Sequence, residues 1–248
     1  MPAPVTAAIL LIGNELLSGK IVDQNGQLAI ATLRRRGIDL IEVRIVADDE
    51  AAIGAAAREL AARATFVITS GGIGPTHDDI TLASIAAGFG LEMREEPALR
   101  AWIDQHFAAR PAELAVWRRM AMVPVGAEIH TDSRTMWPLT QVRNLFVLPG
   151  VPQLFANQLR AVVARFDGQP VALATLFLTC GEGEVAAHLE AVLTAEPAVA
   201  LGSYPVWGED DYRTRITIES REAEAVARAT EALSVRFGSA LVRVEQGG

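Results

Sequence analysis

The chain has 248 residues, half of them apolar, with a formal net charge of −8 and an isoelectric point near 5.1. This composition supports a folded core, and its acidity argues against a nucleic-acid binder, which normally has a basic surface. The single cysteine, Cys180, excludes an intrachain disulfide and a zinc site built from several thiolates. It also fits a reducing compartment. No apolar run is long enough to span a bilayer, so we expect a cytoplasmic protein with no membrane anchor.

The first part of the chain alternates predicted strands and helices. Ala7–Ile12 is a continuous apolar run ended by Gly13, as is typical of a strand buried on both faces. The next elements continue this order: a helix over Asn25–Arg36, a strand over Ile38–Val46, a helix over Glu50–Ala64, a strand over Phe66–Thr69 and a helix over Ile80–Ala87 closed by Gly88. The alternation predicts a mostly parallel sheet with helices on both faces.

The remaining pattern predicts a second, smaller domain. After helices over Pro97–Phe107 and Ala112–Met122, a strand over Leu145–Leu148 leads into a helix that runs to Arg165. A turn sequence at Asp167–Pro170 marks a boundary, which gives domains 1–168 and 169–248. The second domain is predicted to contain strand 171–179, helix 184–194, strands 198–204 and 212–220, helix 222–237 and strand 240–245. This βαββαβ order is that of an α+β, ferredoxin-like domain.

The most informative feature is the glycine-rich loop Ser70–Asp79, directly after a predicted strand. Its glycines, Gly71, Gly72 and Gly74, allow backbone amides to approach an anion, and the following helix adds a positive dipole end. Asp78 and Asp79 would repel a phosphate unless a cation lies between them, so the loop predicts a phosphate bound through a divalent metal. A tight turn, with Asp79 as a helix N-cap, is the alternative.

A second loop, Gly13–Asn25, follows the first strand and is expected at the same sheet edge. Within it, Glu15 could add a metal ligand, Lys20 could neutralise a phosphate and Ser18 could donate a hydrogen bond. Alternatively, Asp23 caps the next helix and Lys20 is only solvated.

A third candidate is the rigid turn at Pro149 and Gly150, which either presents backbone donors to a ligand or only starts a helix. His106 has no partner at ligand spacing.

These motifs together resemble the amino-terminal domain of the CinA (competence/damage-inducible) proteins, whose fold is similar to the molybdopterin-binding MogA and MoaB proteins. The resemblance rests on Gly13–Asn25, on Thr69–Thr81 and on Leu148–Pro152, and it covers nearly the whole chain, including Gly181–Glu184 and Gly202–Pro205. It implies a three-layer α/β sandwich followed by a small α+β domain. It also implies dimers or trimers.

The resemblance further implies an activity. CinA domains are linked to metal-dependent hydrolysis of ADP-ribose to AMP and ribose 5-phosphate, related domains to FAD hydrolysis, and the molybdenum-cofactor branch to molybdopterin adenylation. The aspartates of the family motif correspond to Asp78 and Asp79. Full-length CinA proteins also carry a nicotinamide-mononucleotide deamidase domain, which this sequence lacks, so we expect no deamidation. The family segment Gly-Thr-Ala-Pro-Gly reads Arg134–Pro138 here, which predicts changed specificity or lost activity if that loop contacts substrate.

Two functional hypotheses follow. The first is a pyrophosphatase dependent on Mg²⁺ or Co²⁺ that cleaves ADP-ribose or FAD, with Asp78, Asp79 and Lys20 as catalytic residues. Its metal ligands would be Asp78, Asp79 and Glu15. The second is a non-catalytic module that binds a nucleotide or a pterin. Both hypotheses share one predicted ligand-binding set, namely Gly13, Glu15, Ser18, Asn25, Ser70, Gly71, Gly72, Gly74, Pro75, Thr76, Pro149 and Gly150.

Overall fold

Strands and helices alternate through the first part of the computed structural model, which describes residues 4–131, 137–209 and 211–247. Its elements in chain order are β1 (Thr6–Ile12), α1 (Asn14–Leu17), α2 (Asn25–Arg35), β2 (Asp39–Val46), α3 (Glu50–Arg63), β3 (Phe66–Ser70), α4 (Thr81–Phe89), β4 (Met93–Glu95), α5 (Pro97–His106), α6 (Pro111–Trp117), β5 (Met122–Pro124), β6 (Glu128–His130), β7 (Leu139–Val142), β8 (Leu145–Leu148) and α7 (Pro152–Val163). They belong to the first of two compact units, 1–168 and 169–248.

The central sheet of the first unit has the strand order β2-β1-β3-β8-β7-β6. The pairs among β2, β1, β3 and β8 are parallel, whereas β7 and β6 extend the sheet by antiparallel pairing. One face packs against α2 and α7, and the other packs against α3 and α4. Because helices cover both faces, every side chain of β3 is buried. The predicted three-layer sandwich with a mostly parallel sheet is confirmed.

Two predicted helix boundaries are wrong. The helix expected to close at Gly88 continues to Phe89 and ends at Gly90, which has the left-handed φ of 65° that suits a helix end. The helix expected over Ala112–Met122 ends at Trp117, and a 3₁₀ turn follows. Met122 instead begins β5, which pairs with β4 in a separate two-stranded ribbon. Long-range strand pairing therefore overrides the local helical pattern.

The second unit contains β9 (Ala172–Leu178), α8 (Glu182–Ala195), β10 (Ala200–Pro205), β11 (Thr214–Ser220), α9 (Ala223–Phe237) and β12 (Leu241–Gly247). Its antiparallel sheet has the order β10-β11-β9-β12, and its apolar core is formed by the sheet and both helices. The predicted βαββαβ, ferredoxin-like arrangement is confirmed. Among the described residues of the whole chain, no helix has both the length and the apolar character needed to cross a membrane.

Candidate functional site

Three loops meet at the carboxyl edge of the parallel strands. Gly13 follows β1, Gly71 follows β3, and Pro149 and Gly150 follow β8. The amide of Gly71 donates to the carbonyl oxygen of Leu148 at 3.2 Å, and a side chain on Gly150 would be in van der Waals contact with Gly71 Cα. All three loops line one cavity of about 780 Å³, within the usual size range of small-molecule sites. The sheet edge therefore forms the floor of a ligand-sized cavity.

Two glycines of the loop after β3 allow this close approach. Gly71 has a φ of 110°, and a Cβ there would collide with the carbonyl oxygen of Ile12. Gly72 has a φ of 62°, and a Cβ there would collide with the hydroxyl of Thr81. That hydroxyl donates to the carbonyl oxygen of Gly71 at 2.9 Å, which fixes the loop to the start of α4. Both positions require glycine for backbone conformation and for space.

The carboxylates of Asp78 and Asp79 converge on one hydroxyl group. Thr76 Oγ1 lies within hydrogen-bonding distance of Asp78 Oδ1 and 2.7 Å from Asp79 Oδ2. The backbone amide of Thr76 also donates to Asp79 Oδ2, at 2.8 Å. A hydroxyl carries a single proton, so the two carboxylates share one hydroxyl donor. The loop thus holds two negative charges side by side at the cavity wall.

Hydrogen bonding keeps Asp78 ionised. The Thr76 hydroxyl lowers the pKa of Asp78 below its ordinary value of 3.8, helped by the backbone amide of Asp78 and by the nearby charge of His77, while desolvation opposes the shift. The charged form is favoured because it accepts these hydrogen bonds. At neutral pH the Asp78 side chain is therefore a carboxylate able to bind a cation.

Asp79 does not cap the following helix. The N-cap of α4 is Ile80, no side chain caps its first turn, and the Asp79 carboxylate turns back toward Thr76. The positive end of α4 is therefore directed toward the loop without a capping carboxylate, an arrangement that suits a bound anion. The alternative interpretation of Asp79 as an N-cap is wrong.

All but two of the predicted site residues line one of three neighbouring cavities. The 780 Å³ cavity is lined by Gly13, Glu15, Gly71, Gly72, Gly74, Pro75, Asp78, Asp79, Pro149 and Gly150. Asn25 and Ser70 line a smaller cavity of about 260 Å³ beside it, which shares Glu15, Gly71 and Gly150 with the larger one. Thr76 lines a further small cavity of about 230 Å³ that shares Gly72–Pro75 and Asp79 with the 780 Å³ cavity. These residues, which exclude Ser18 and Lys20, surround one region of the sheet edge.

Asn25 connects the loops after β3 and β8. Its amide nitrogen donates to Ser70 Oγ at 2.9 Å and to the carbonyl oxygen of Gly150 at 2.8 Å. Its side-chain oxygen is buried and has no partner. Asn25 therefore fixes the start of α2 to both loops.

Ser18 and Lys20 do not line any of these cavities. Both are exposed, and the Ser18 hydroxyl donates to the carbonyl oxygen of Glu15 at 3.3 Å. Within the described residues, no three or more histidine, cysteine, aspartate or glutamate side chains form a cluster able to hold a metal. Glu15, whose carboxylate lies against Gly13, is therefore not grouped with Asp78 and Asp79 as a third ligand.

Sequence reasoning missed one wall of the 780 Å³ cavity. That wall, which we call the aromatic wall, consists of Trp102, His106, Phe107, Trp117 and Trp137. The available signal was the clustering of tryptophan: the chain has four, and three lie between residues 102 and 137. Arg110 also lines the cavity, whereas the predicted cation Lys20 does not. Of the altered segment Arg134–Pro138, residues 134–136 lie outside the described residues.

Comparison with known proteins gives the family. Residues 8–169 match the family model described as "Probable molybdopterin binding domain". The chain belongs to this family. Residues 170–245 match a second model, described as "FAD synthase, middle domain". The two matches meet where the two compact units meet.

Relatives of this molybdopterin-binding-domain chain come from all three domains of life. A "CinA-like protein" from Myxococcus xanthus is 36% identical over 65% of this chain and 41% of its own length. A "Probable FAD synthase" from Caenorhabditis elegans is 27% identical over 94% of this chain, and a protein from Archaeoglobus fulgidus is 29% identical over 90%. The chain spans half of the nematode protein but 94% of the archaeal one.

A solved structure supports the same family assignment. The CinA protein from Thermoplasma acidophilum superposes with a TM-score of 0.58 at 27% identity, covering 65% of this chain and 98% of its own. The resemblance to CinA proteins, predicted from the loop motifs, is confirmed.

Proposed function

We propose that this chain hydrolyses the diphosphate bond of a dinucleotide-like substrate of the ADP-ribose or FAD type, releasing AMP. The observation that carries the proposal is the convergence of Asp78 and Asp79 on Thr76 at the wall of a cavity floored by glycine loops. The relatives described as "Probable FAD synthase" and the match to "FAD synthase, middle domain" support a nucleotide of this class.

The residues present fit a divalent cation. Two carboxylates that share a single hydroxyl donor repel each other, and an oxygen-binding cation between them would relieve that repulsion. Mg²⁺ is commonly held by one or two carboxylates together with substrate phosphates and water, so the pair Asp78 and Asp79 is sufficient without Glu15. Such a cation would polarise the diphosphate and lower the pKa of a bound water.

The chain's own groups would position the substrate for this reaction. Backbone amides of Gly72 and Gly74 and the positive end of α4 would bind the phosphate oxygens, and Arg110 in the cavity wall would offset their negative charge. Water attacks one phosphorus, the bridging P–O bond breaks, and the bridging oxygen leaves on the second phosphate with a proton. The products are AMP and a second phosphomonoester.

An AMP-release assay tests the proposal. The protein is incubated with ADP-ribose or FAD and with MgCl₂ or CoCl₂, and AMP is quantified by chromatography. We expect metal-dependent AMP formation, and Asp79→Asn should lower kcat/KM on the order of 100-fold, since even indirect partners of metal sites change activity by 10- to 100-fold.

The matched control is Asp167→Asn, a fully exposed aspartate of the same unit that lines none of these cavities. Absence of AMP with every substrate and metal would overturn the proposal.

A second candidate is a binding module without turnover. It is favoured by the observation that Asp79 Oδ2 already accepts hydrogen bonds from the amide and the hydroxyl of Thr76, so the loop is internally satisfied without a cation. This candidate requires calorimetric binding of ADP-ribose or molybdopterin that EDTA does not weaken, with no product formed. Metal-dependent turnover would contradict it.

A further inference from the structure

The aromatic wall contains two stacked ring pairs on neighbouring helices. On α5, Trp102 stacks on His106 one turn later, with ring centroids 3.7 Å apart and planes 16° from parallel. Phe107, directly after α5, stacks on Trp117 at the end of α6, with centroids 4.5 Å apart. The two pairs are therefore rigid platforms whose ring orientations are fixed by each other.

Trp137 connects the two pairs. Its ring meets Trp102 edge-on at 4.9 Å and lies at a tilt to Trp117 at 6.0 Å. The carbonyl oxygen of Trp137 accepts a hydrogen bond from the buried Gln158 side chain on α7, at 2.8 Å. The wall is thus held to the main sheet through α7.

The wall covers a small apolar cluster without being buried itself. Beneath it, Leu99, Ile103, Ala121 and Val123 form a fully buried cluster against which the three tryptophans pack. The tryptophans keep part of their surface exposed and line the 780 Å³ cavity. Rings that only filled a core would be covered on all sides, so their exposed surface is available to a ligand.

The lining of the cavity combines two kinds of chemistry. The loop after β3 supplies the backbone of Gly72 and Gly74 and the carboxylates of Asp78 and Asp79, which suit phosphate bound through a cation. The aromatic wall supplies rings, and beside it the guanidinium of Arg110 stands over Phe107 at 5.4 Å. Aromatic side chains bind flat heterocycles by stacking. A molecule that carries both a diphosphate and a flat heterocycle matches this lining.

We infer that the aromatic wall binds the adenine ring of the substrate and makes this site selective for adenosine diphosphate compounds over diphosphates without a base. This inference rests on the proposed function for the placement of the diphosphate. ADP-ribose and FAD share their adenosine diphosphate half, so one ring site serves both. Trp117 is the residue of choice for a test, because it stacks on a single partner ring and ends its helix.

The test uses equilibrium binding, which requires no catalysis. The full-length protein is titrated with AMP and separately with ribose 5-phosphate, following tryptophan emission and heat. We expect AMP, but not ribose 5-phosphate, to quench emission. Trp117→Leu should weaken AMP binding about tenfold or more, the effect of losing one stacked base, and Trp117→Phe should restore most of the affinity. The control is Trp207→Leu, which removes the 91% exposed tryptophan of the other unit and should leave the affinity unchanged.

The outcomes separate this inference from the proposed hydrolysis. Quenching by AMP and loss of affinity in Trp117→Leu would support the aromatic wall even if ADP-ribose and FAD are not hydrolysed. If Trp117→Leu hydrolyses the substrate with an unchanged KM and binds AMP with unchanged affinity, the aromatic wall does not bind adenine. The proposed function would then still hold. Failure of AMP to bind, or equal affinity for AMP and ribose 5-phosphate, would also contradict adenine binding by the aromatic wall.

Discussion

The Asp104 side chain helps to hold the aromatic wall in position. Its carboxylate accepts a hydrogen bond from Arg118, which follows α6, at 2.8 Å. It accepts a second one from Arg100, one turn away on α5, at 3.3 Å. The hydrogen bond and charge of Arg118, helped by Arg100, lower the pKa of Asp104 below its ordinary 3.8. Asp104 thus connects α5, which carries Trp102 and His106, to the residue that directly follows Trp117.

The lowered pKa of Asp104 predicts a pH-dependent contribution to stability. A carboxyl group with a depressed folded-state pKa stabilises the protein above its unfolded pKa, and the contribution disappears as pH falls through the folded value. We therefore expect Asp104→Asn to lower the free energy of unfolding at pH 7, and the difference from wild type to shrink below pH 3.8. The effect should be modest because both partners are partly exposed.

Urea titration followed by tryptophan fluorescence measures this difference, since three of the four tryptophans report on the first unit. The control is Asp167→Asn. The Asp167 side chain pairs with Arg36 but is fully exposed, so this variant should change the free energy of unfolding little at either pH. A wild-type-minus-variant difference that is the same at pH 7 and pH 3 would contradict the assignment.

At the scale of elements, two glycines set the distance between α3 and α4. A Cβ on Gly88 would lie 2.5 Å from the carbonyl oxygen of Gly54 and 2.7 Å from its Cα. A Cβ on Gly54 would in turn lie 2.8 Å from the carbonyl oxygen of Ser84. Both obstacles are backbone atoms, which cannot turn aside, so the helices can approach this closely only with glycine at the crossing.

Gly88→Ala should therefore destabilise the first unit. Alanine gains about 1 kcal/mol in helix propensity over glycine, but overpacking a close contact costs about 1–3 kcal/mol, so we expect a net loss of about 1 kcal/mol. The matched control is Gly183→Ala in α8, where a Cβ would meet nothing within 4 Å. That variant should be stabilised by about 0.5–1 kcal/mol. Calorimetric unfolding measures both, and equal signs would contradict the role of the crossing.

The same elements show what the sequence could and could not predict. The apolar runs of β1, β3 and β8 were sufficient to predict a parallel sheet, because strands that are buried on both faces are apolar at nearly every position. The strands β4 to β7 were missed because each has only three or four residues without a continuous apolar run, and because β4 pairs with β5 across two intervening helices. Gly88 was read as a helix end because a packing glycine and a terminating glycine are alike in sequence.

Only part of the candidate site could be predicted from the sequence. Loops that follow parallel strands necessarily meet at one sheet edge, so Gly13, Gly71 and Gly150 could be grouped from their positions alone. The aromatic wall comes from residues 102–137, later in the chain than the loops after β1 and β3, and its place in the cavity lining depends on tertiary packing. Lys20 has the chemistry of a phosphate ligand, but the exposed turn after α1 keeps it out of the cavity wall.

At the scale of the whole molecule, each unit has its own apolar core. The cores of the first unit lie on the two faces of its sheet, and that of the second is formed entirely by residues of 169–248. Every residue that lines the 780 Å³ cavity belongs to the first unit. The described lining of the proposed site therefore comes from the first unit.

This separation predicts that the two fragments 1–168 and 169–248 fold independently. Fragment 169–248 should unfold in a single cooperative urea transition, because it contains the whole four-stranded sheet and the apolar core that the sheet forms with α8 and α9. Fragment 1–168 should bind AMP with a Kd close to that of the 248-residue chain, since it keeps every described residue that lines the 780 Å³ cavity. Calorimetry and circular dichroism measure both properties. A fragment 1–168 that folds cooperatively but has lost AMP binding would show that the second unit contributes to the site.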